Sequence, residues 1–398
     1  LAPVTLPQRQ AAGERCDLAL GAQLKGSLAL RLPGQILLSP DLGDVGSNRG
    51  AHHLQHTTQR WLERHGLKPG AIACDAHLST SASQLAADLC QHHNVPLQPV
   101  QHHHAHLLAV LAEHNLEGEQ FGIAWDGAGL GDDGSLWGGE ALLVHHSGYQ
   151  RLARLRPFRL PGGERAMREP RRAALGLLLC GKNSSWREHP PGCGPRPWSR
   201  AFSPEELEVL EQAAGRGLNS PLCSSIGRLF DAMAALLGLQ QICSFEAQAA
   251  IAMEGLASEA AASQVAAPTY YLPLRHSSET LLEWDWQPLL TAILADIADG
   301  TASAAAMALA FHRALAEAIA ELGVHQHGLQ NHQSNGAAPS GSAPVLLSGG
   351  CFQNKLLLEQ TVAALRRRGL TPIWPRDLPC NDGALAVGQL LALQTNQG

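Results

Sequence analysis

None of the nine cysteines stands in a CxxC pair; they are scattered at positions 16, 74, 90, 180, 193, 223, 243, 351 and 380. An odd, unclustered set argues against a disulfide framework and against a cysteine zinc site. No apolar run reaches the about 18 residues that a membrane-spanning helix needs, and no signal-peptide pattern occurs. Basic blocks with interleaved aromatics are absent and the net charge is −6, so electrostatics give no reason to expect nucleic acid as a partner. These absences lead us to expect a cytoplasmic protein with no membrane partner. Charged residues are only 16% beside 45% apolar ones, a globular balance, and 398 residues suffice for two lobes with a core each. The opening Leu-Ala-Pro-Val-Thr-Leu-Pro lacks a starting Met, and residues 1–16 read as a linker.

Histidine, by contrast, is plentiful, with twenty in the chain. The run Val100–His106, VQHHHAH, leads into the apolar LLAVLAEH, which predicts a helix. Residues i and i+4 share one helix face, so His102 and His106 can present two imidazoles to one point. In a histidine-rich chain such a cluster also fits an ordinary surface. Position 103 is His where the HExxH pattern of zinc peptidases needs its glutamate, which removes peptidase chemistry. Twenty residues on, Asp126 opens a glycine-rich acidic stretch whose carboxylates could supply a hard third ligand.

The apolar pattern predicts strands at Asp17–Gly21, Ser27–Leu32 and Gln35–Ser39, a helix at His52–His65, a strand at Ala71–Cys74, a helix at Ala82–His92 and a strand at Pro96–Gln101. It then restarts with strands at Phe121–Trp125, Gly139–His145 and Gln150–Leu155. Alanine-rich helices follow over Ser224–Gly323. A strand at Pro344–Ser348, a helix at Phe352–Arg368, a strand at Thr371–Trp374 and a closing helix at Gly383–Leu393 complete it. Two successive units of this kind predict a duplicated α/β fold, a first lobe over 17–120 and a second over 121–382, with a cleft between them and residues 383–398 closing the chain. Two segments without apolar period, 183–200 and 325–342, read as inserted surface loops.

Glycine turns gather where ligands sit in such sheets. Leu20–Lys25 suits either a phosphate contact through its amides and Lys25 or a plain hairpin. Asp126–Gly134 lets backbone approach a ligand, with Asp132 and Asp133 read as solvated turn residues. Leu347–Asn354 runs from strand through Gly349 and Gly350 into a helix, the usual anion-facing arrangement; Cys351 within it has no adjacent base and reads as a packing residue. In Pro379–Gly383, Asp382 suits a helix cap or a ligand from the opposite lobe. Ser224–Asp231 and Ser244–Gln248 open helices with polar side chains suited to ribose recognition or to capping. Leu160–Arg172 suits an anion contact or a structural ion-pair loop.

In order, VQHHHAH, DGAGLGDDGSLWGGE, LPGGERAMREPRR, SSIGRLFDAMAALLG, SFEAQAA, LSGGCFQN and NDGALAVGQ resemble the C-terminal half of the hydrogenase maturation carbamoyltransferase family HypF, over about Asp17 to Gln389. The resemblance implies an α/β, two-lobed actin/Hsp70/sugar-kinase-like fold of duplicated ribonuclease-H-like lobes with helical insertions, similar to the tRNA threonylcarbamoyltransferase subunit. It also implies transfer of a carbamoyl group from carbamoyl-adenylate, itself made from ATP, to the C-terminal cysteine of the partner HypE, releasing AMP. Carried over by motif, the metal ligands are His102, His106, Asp126 and Asp382; two imidazoles and two carboxylates suit Fe2+ or Zn2+ better than Mg2+. Gly349, Gly350 and Asn354 match the nucleotide-contacting turn. Gly227 and Asp231 match the ribose-holding segment, with Glu246 nearby. Two places depart from the family pattern: Ser39–Asp44 reads SPDLGD for SxHIGD, and Glu169–Arg172 reads EPRR for EPWR. The acylphosphatase, zinc-finger and adenylate-forming segments of the family are not in the sequence given, so this stretch alone is expected to bind nucleotide and metal without making carbamoyl-adenylate, which would come from another part of a longer chain or from a separate protein. A tRNA-modifying relative and a non-catalytic nucleotide- and metal-binding scaffold that docks HypE are the alternatives.

Overall fold

The computed structural model describes residues 4–7, 16–181, 201–333 and 343–393. Its first sheet is formed by β1 (Val4–Pro7), β2 (Cys16–Ala19), β3 (Ala29–Leu32), β4 (Gln35–Leu38), β5 (Pro69–Asp75) and β6 (Leu97–Val100), with α1 (Asn48–His65) and α2 (Ser81–His93) between the later strands. The spatial order is β1-β4-β3-β2-β5-β6, antiparallel from β2 to β4 and parallel from β2 through β5 to β6. After α3 (His102–His114), the second sheet opens with a meander, β7 (Gln120–Leu130), β8 (Leu136–His145) and β9 (Gly148–Leu155). A long insertion follows: β10 (Phe158–Arg159), α4 (Pro170–Cys180), α5 (Pro204–Arg216), β11 (Leu222–Cys223), α6 (Ile226–Leu236), α7 (Gln248–Ala262), β12 (Leu274–His276), β13 (Leu282–Trp284), α8 (Trp286–Asp299) and α9 (Ala304–Gln333). The chain then finishes with β14 (Pro344–Ser348), α10 (Lys355–Arg367), β15 (Thr371–Ile373) and α11 (Leu385–Ala392).

Both sheets share one plan. In the second, β9-β8-β7-β14-β15 repeats the order β4-β3-β2-β5-β6, with an antiparallel meander followed by two parallel strands. Parallel neighbours need a crossover, and helices supply it in each lobe.

The layers between the sheets position the site. Helix α3 is buried from His102 to Ala112. It has no polar face because it packs on the second sheet on one side and on α11 on the other. Helix α11 in turn lies on the first sheet, and residues of both sheets and both helices form one continuous apolar cluster. Thus α3 and α11 fill the space between the lobes. Separate cores lie outside, with α1 and α2 against the first sheet and the inserted helices against the second.

Three expectations change. The linker expected over 1–16 contains a strand at Val4–Pro7, because the outer edge of β4 offers unpaired backbone groups that Val4–Pro7 completes antiparallel. The loop expected over 325–342 begins as helix, since α9 continues to Gln333 without a proline to stop it; residues 334–342, like the loop expected at 183–200, lie outside the described residues. The strand expected to end at Trp125 runs on to Leu130, with a register shift between Trp125 and Gly129, so the glycine-rich stretch is largely a hairpin arm. No helix among the described residues is long and apolar enough to cross a membrane.

Candidate functional site

The three adjacent histidines of α3 have three environments. Gln101 caps the helix by accepting from the His104 amide at 2.9 Å, which fixes the first turn. His104 then points away and donates from Nε2 to the His145 carbonyl at 2.8 Å. His103 packs beside Trp137, ring centres 5.9 Å apart, and burial drives its pKa well below the ordinary value, so it is neutral. His102 and His106 alone face the cleft, with ring centres 5.0 Å apart.

Two carboxylates meet them. Nε2 of His102 lies 3.4 Å from Asp126 Oδ2 and 3.6 Å from Asp382 Oδ1; Nε2 of His106 lies 3.8 Å and 3.5 Å from the same atoms. One ligand atom from each of the four residues falls within 4.8 Å of all the others. These spacings are too long for hydrogen bonds. They are near the edge of roughly 3.4 Å between ligands that each lie about 2.1 Å from a shared ion. Both Nε2 atoms are buried without a hydrogen-bond partner among the described residues, so the donors fit a cation.

Electrostatics point the same way. Burial works to lower the His102 pKa, but the Asp382, Asp126 and Asp75 carboxylates outweigh it and raise the pKa well above its ordinary value. His106 is raised for similar reasons. Burial works to raise the carboxylates, yet the imidazoles hold Asp126 well below the usual range and Asp382 at about 2. The site is thus a buried anionic pair that holds positive charge.

Three of these four side chains are anchored from behind. Asp126 Oδ1 accepts from the Gly350 amide at 2.8 Å. Gly349, at φ 102°, passes so close to Trp125 that a Cβ would lie 2.2 Å from its carbonyl oxygen, which leaves only glycine there. Asn381, and not Asp382, caps the turn that opens the last helix, accepting from the Gly383 amide at 3.0 Å; this frees the Asp382 carboxylate for the centre. The loop leading to Asp382 is held by Glu113 at the far end of α3, which accepts from the amides of Arg376, Asp377 and Leu378 at 3.1, 2.5 and 3.0 Å. His102 Nδ1 lies 2.7 Å from Asp75 Oδ2. Neither Asp75 nor Glu113 stands out in the sequence; the one signal for Asp75 is an acid at the end of an apolar run, as with Asp126.

Beside the cluster opens a cavity of about 550 Å3 bordered by Asp126, Asp382, Lys25, Gly227, Asp231, Glu246, Gly350, Cys351 and Asn354, among others. Lys25 from the first lobe bonds both oxygens of Glu246 from the second, at 2.7 and 2.8 Å, across this space. Gln389 of α11 holds the base of the Lys25 turn through the amide and carbonyl of Gly21, at 2.9 and 3.1 Å. Gly227 lies in the first turn of α6, whose cap Ser225 also donates to the Asp126 carbonyl at 2.8 Å. Burial raises Asp231 to about 6, although Arg228 Nη1, 2.6 Å away, pulls it down. Desolvation pushes the Cys351 thiol far up, with the Asp126 charge adding to it, so it stays protonated.

Asn354 lines the cavity with its side chain already engaged. Its Oδ1 caps α10 by accepting from the Leu357 amide at 2.9 Å, and its Nδ2 donates to His312 Nε2 at 2.9 Å. His312 Nδ1 donates to the Ala308 carbonyl at 2.7 Å, and burial lowers its pKa from 6.5 to about 4. The unfolded chain therefore takes this proton near pH 6.5 and the folded chain only near 4, so acid favours unfolding across that window. We expect this residue to contribute about 3 kcal/mol that is fully present above pH 6.5 and lost as the pH falls towards 4. Denaturant unfolding from pH 7 to 4 checks it; an equally steep loss in His312→Leu would exclude His312 as the source.

Asp132 and Asp133 are exposed turn residues, as expected, and they also tie the hairpin tip to the meander: Asp133 accepts from Trp137 Nε1 at 2.9 Å and Arg151 Nη1 at 3.0 Å, and Asp132 bonds the Tyr149 hydroxyl. The Leu160–Arg172 segment forms an ion-pair loop, with Arg171 and Arg172 both 2.7 Å from Glu169 Oε2 and bridging to Glu206 at 3.3 and 2.9 Å.

Two lobes that share a five-strand order and enclose a cleft define an actin/Hsp70/sugar-kinase-type fold, here with two imidazoles and two carboxylates clustered in the cleft. The family model of the HypF Kae1-like domain matches residues 12–113, and that of the second subdomain of the carbamoyltransferase Kae1-like domain matches residues 122–389. The carbamoyltransferase HypF of Synechocystis is 35% identical over 399 residues, covering 98% of this chain and 48% of that protein. A carbamoyltransferase HypF homolog of Cupriavidus necator is 37% identical over 377 residues, covering 94% of this chain and 90% of that one. The crystal structure of full-length HypF in its phosphate- and nucleotide-bound form superposes with a TM-score of 0.83 at 27% identity, covering 100% of this chain and 58% of that chain. The chain belongs to the HypF carbamoyltransferase family. It spans about half the length of the Synechocystis protein and nearly all of the Cupriavidus homolog.

Proposed function

We propose that this chain performs the carbamoyl-transfer step of nickel–iron hydrogenase maturation, passing a carbamoyl group from carbamoyl-adenylate to the C-terminal cysteine of HypE. One observation carries this reading: two buried imidazoles and two carboxylates converge within 4.8 Å at the floor of a cavity of about 550 Å3. His102, His106, Asp126 and Asp382 hold a divalent cation, Fe2+ or Zn2+ by their mixed nitrogen and oxygen character. Such a cation supplies Lewis acidity towards a carbonyl or phosphate oxygen.

The remaining roles belong to side chains and backbone of the chain. Lys25, its positive charge reinforced by Glu246, Asp382 and Asp126 against the opposing effect of burial, faces the adenylate phosphate. Asp231 accepts from the ribose hydroxyls, the first turn of α6 at Gly227 lets the sugar approach, and Gly349–Gly350 bring backbone close to the phosphate. Glu246 releases Lys25 when the anion enters. The acceptor thiolate attacks the carbamoyl carbon, a carbon–sulfur bond forms, the carbon–oxygen bond to phosphate breaks and AMP leaves. The nucleophile comes from the acceptor, which agrees with a protonated Cys351. The test is to supply the chain with Fe2+ or Zn2+, carbamoyl-adenylate made in trans by an adenylate-forming domain, and HypE. HypE should gain one carbamoyl group on its last cysteine by mass spectrometry. No gain, where a full-length relative succeeds under the same conditions, would reject the proposal.

A further inference from the structure

We infer that Asp75 is a positioning residue for His102, setting which ring nitrogen faces the centre of the cluster. The inference rests on the proposed cation site and deepens it. Asp75 ends β5 of the first sheet and is 5% exposed. Its Oδ1 accepts from the His77 amide at 2.8 Å, and its Oδ2 lies 2.7 Å from His102 Nδ1. Its own carbonyl accepts from Ser83 Oγ at 3.0 Å, and the Ala76 amide is bonded to the Val100 carbonyl at 2.9 Å, so the strand end that carries it is fixed on both sides.

An ionised carboxylate can only accept hydrogen bonds. With both oxygens engaged by N–H groups, Asp75 places the ring hydrogen on Nδ1. In a neutral imidazole this leaves the Nε2 lone pair directed at Asp126 and Asp382, where a cation is to bind. His106 has no equivalent: its Nδ1 is buried without a hydrogen-bond partner among the described residues. The two imidazoles therefore differ. Both are carried by the backbone of α3, but the His102 ring is also held by Asp75, whereas the His106 ring is held by packing alone. Because α3 packs on the second sheet, the contact also ties the ligand helix to the first lobe.

Asp75→Asn tests this in the full chain. Its oxygen can serve His77, which turns its amide towards His102 Nδ1 and moves the ring hydrogen to Nε2, facing the centre. Affinity for zinc alone, measured by competition with a chromophoric chelator, should fall roughly 10- to 100-fold. AMP binding, followed by calorimetry, should persist and report an intact fold. The decisive readout is a double-mutant cycle: if Asp75 acts through His102, Asp75→Asn causes no further loss in a His102→Ala background. Asp75→Ala supplies a second route, since added formate should fill the space and restore affinity. Zinc affinity equal to the parent's, an equal loss in the His102→Ala background, or no response to formate would each overturn the inference. A parent chain that binds neither zinc nor, under anaerobic conditions, Fe2+ would overturn the cation site first and this inference with it.

Discussion

Replacing His102 and His106 together by alanine is expected to abolish metal retention and to lower carbamoyl transfer at least about a thousandfold, roughly 4 kcal/mol of transition-state stabilisation. Half of the cluster is lost, and what remains, Asp126 and Asp382, is a pair of like charges. The imidazoles are what depress both carboxyls against the opposing effect of burial. Without them one carboxyl takes up a proton and the pair loses its hold on a cation. The fold should survive, because α3 is anchored by apolar side chains along the rest of its length and by Glu113 and His114 at its far end. Elemental analysis, transfer rate and circular dichroism separate these outcomes. Unchanged metal content in a folded double variant would refute the cluster as the metal site.

Gly388→Ala carries the second large effect. In an isolated helix this change is favourable by about 1 kcal/mol. Here its sign reverses. Helix α11 crosses α3 so closely at Gly388 that a Cβ would lie 1.9 Å from the Ala105 carbonyl oxygen and 2.7 Å from its carbonyl carbon. The obstruction is backbone and cannot rotate away, so the helices must separate. Ala105 lies between His102 and His106, and the displacement is passed to both imidazoles. We expect a loss of about 3 kcal/mol or more in unfolding free energy, the upper end of overpacking costs, together with weaker zinc binding. Denaturant unfolding and zinc titration measure the two. A variant more stable than the parent would show that the crossing is looser than the structure has it.

These two substitutions also divide what could be read along the chain from what could not. His102 and His106 were legible because a spacing of four is a property of any helix and needs no tertiary contact. The alternation of short apolar strands with helices made the duplication legible for the same reason, and Asp126 stood out as an acid closing an apolar run, although the strand itself continues past it. Asp382 was ambiguous alone, since a capping acid and one free to face the cleft look alike until Asn381 is seen to do the capping. The reach of α9 past Val324 was hidden because its last turns carry no apolar stripe.

Periodicity, turn chemistry and local spacing therefore specified the elements and one pair of imidazoles on a shared helix face, because each depends only on neighbours in sequence. Folding alone determined the rest. It separated three consecutive histidines into a cleft-facing imidazole, a neutral packing group and a backbone donor, brought Asp75 to His102 across 27 positions, and turned a helical glycine into a point of contact between lobes. Such outcomes depend on distances between remote segments and on the removal of water between them, and no local stretch of sequence encodes either quantity.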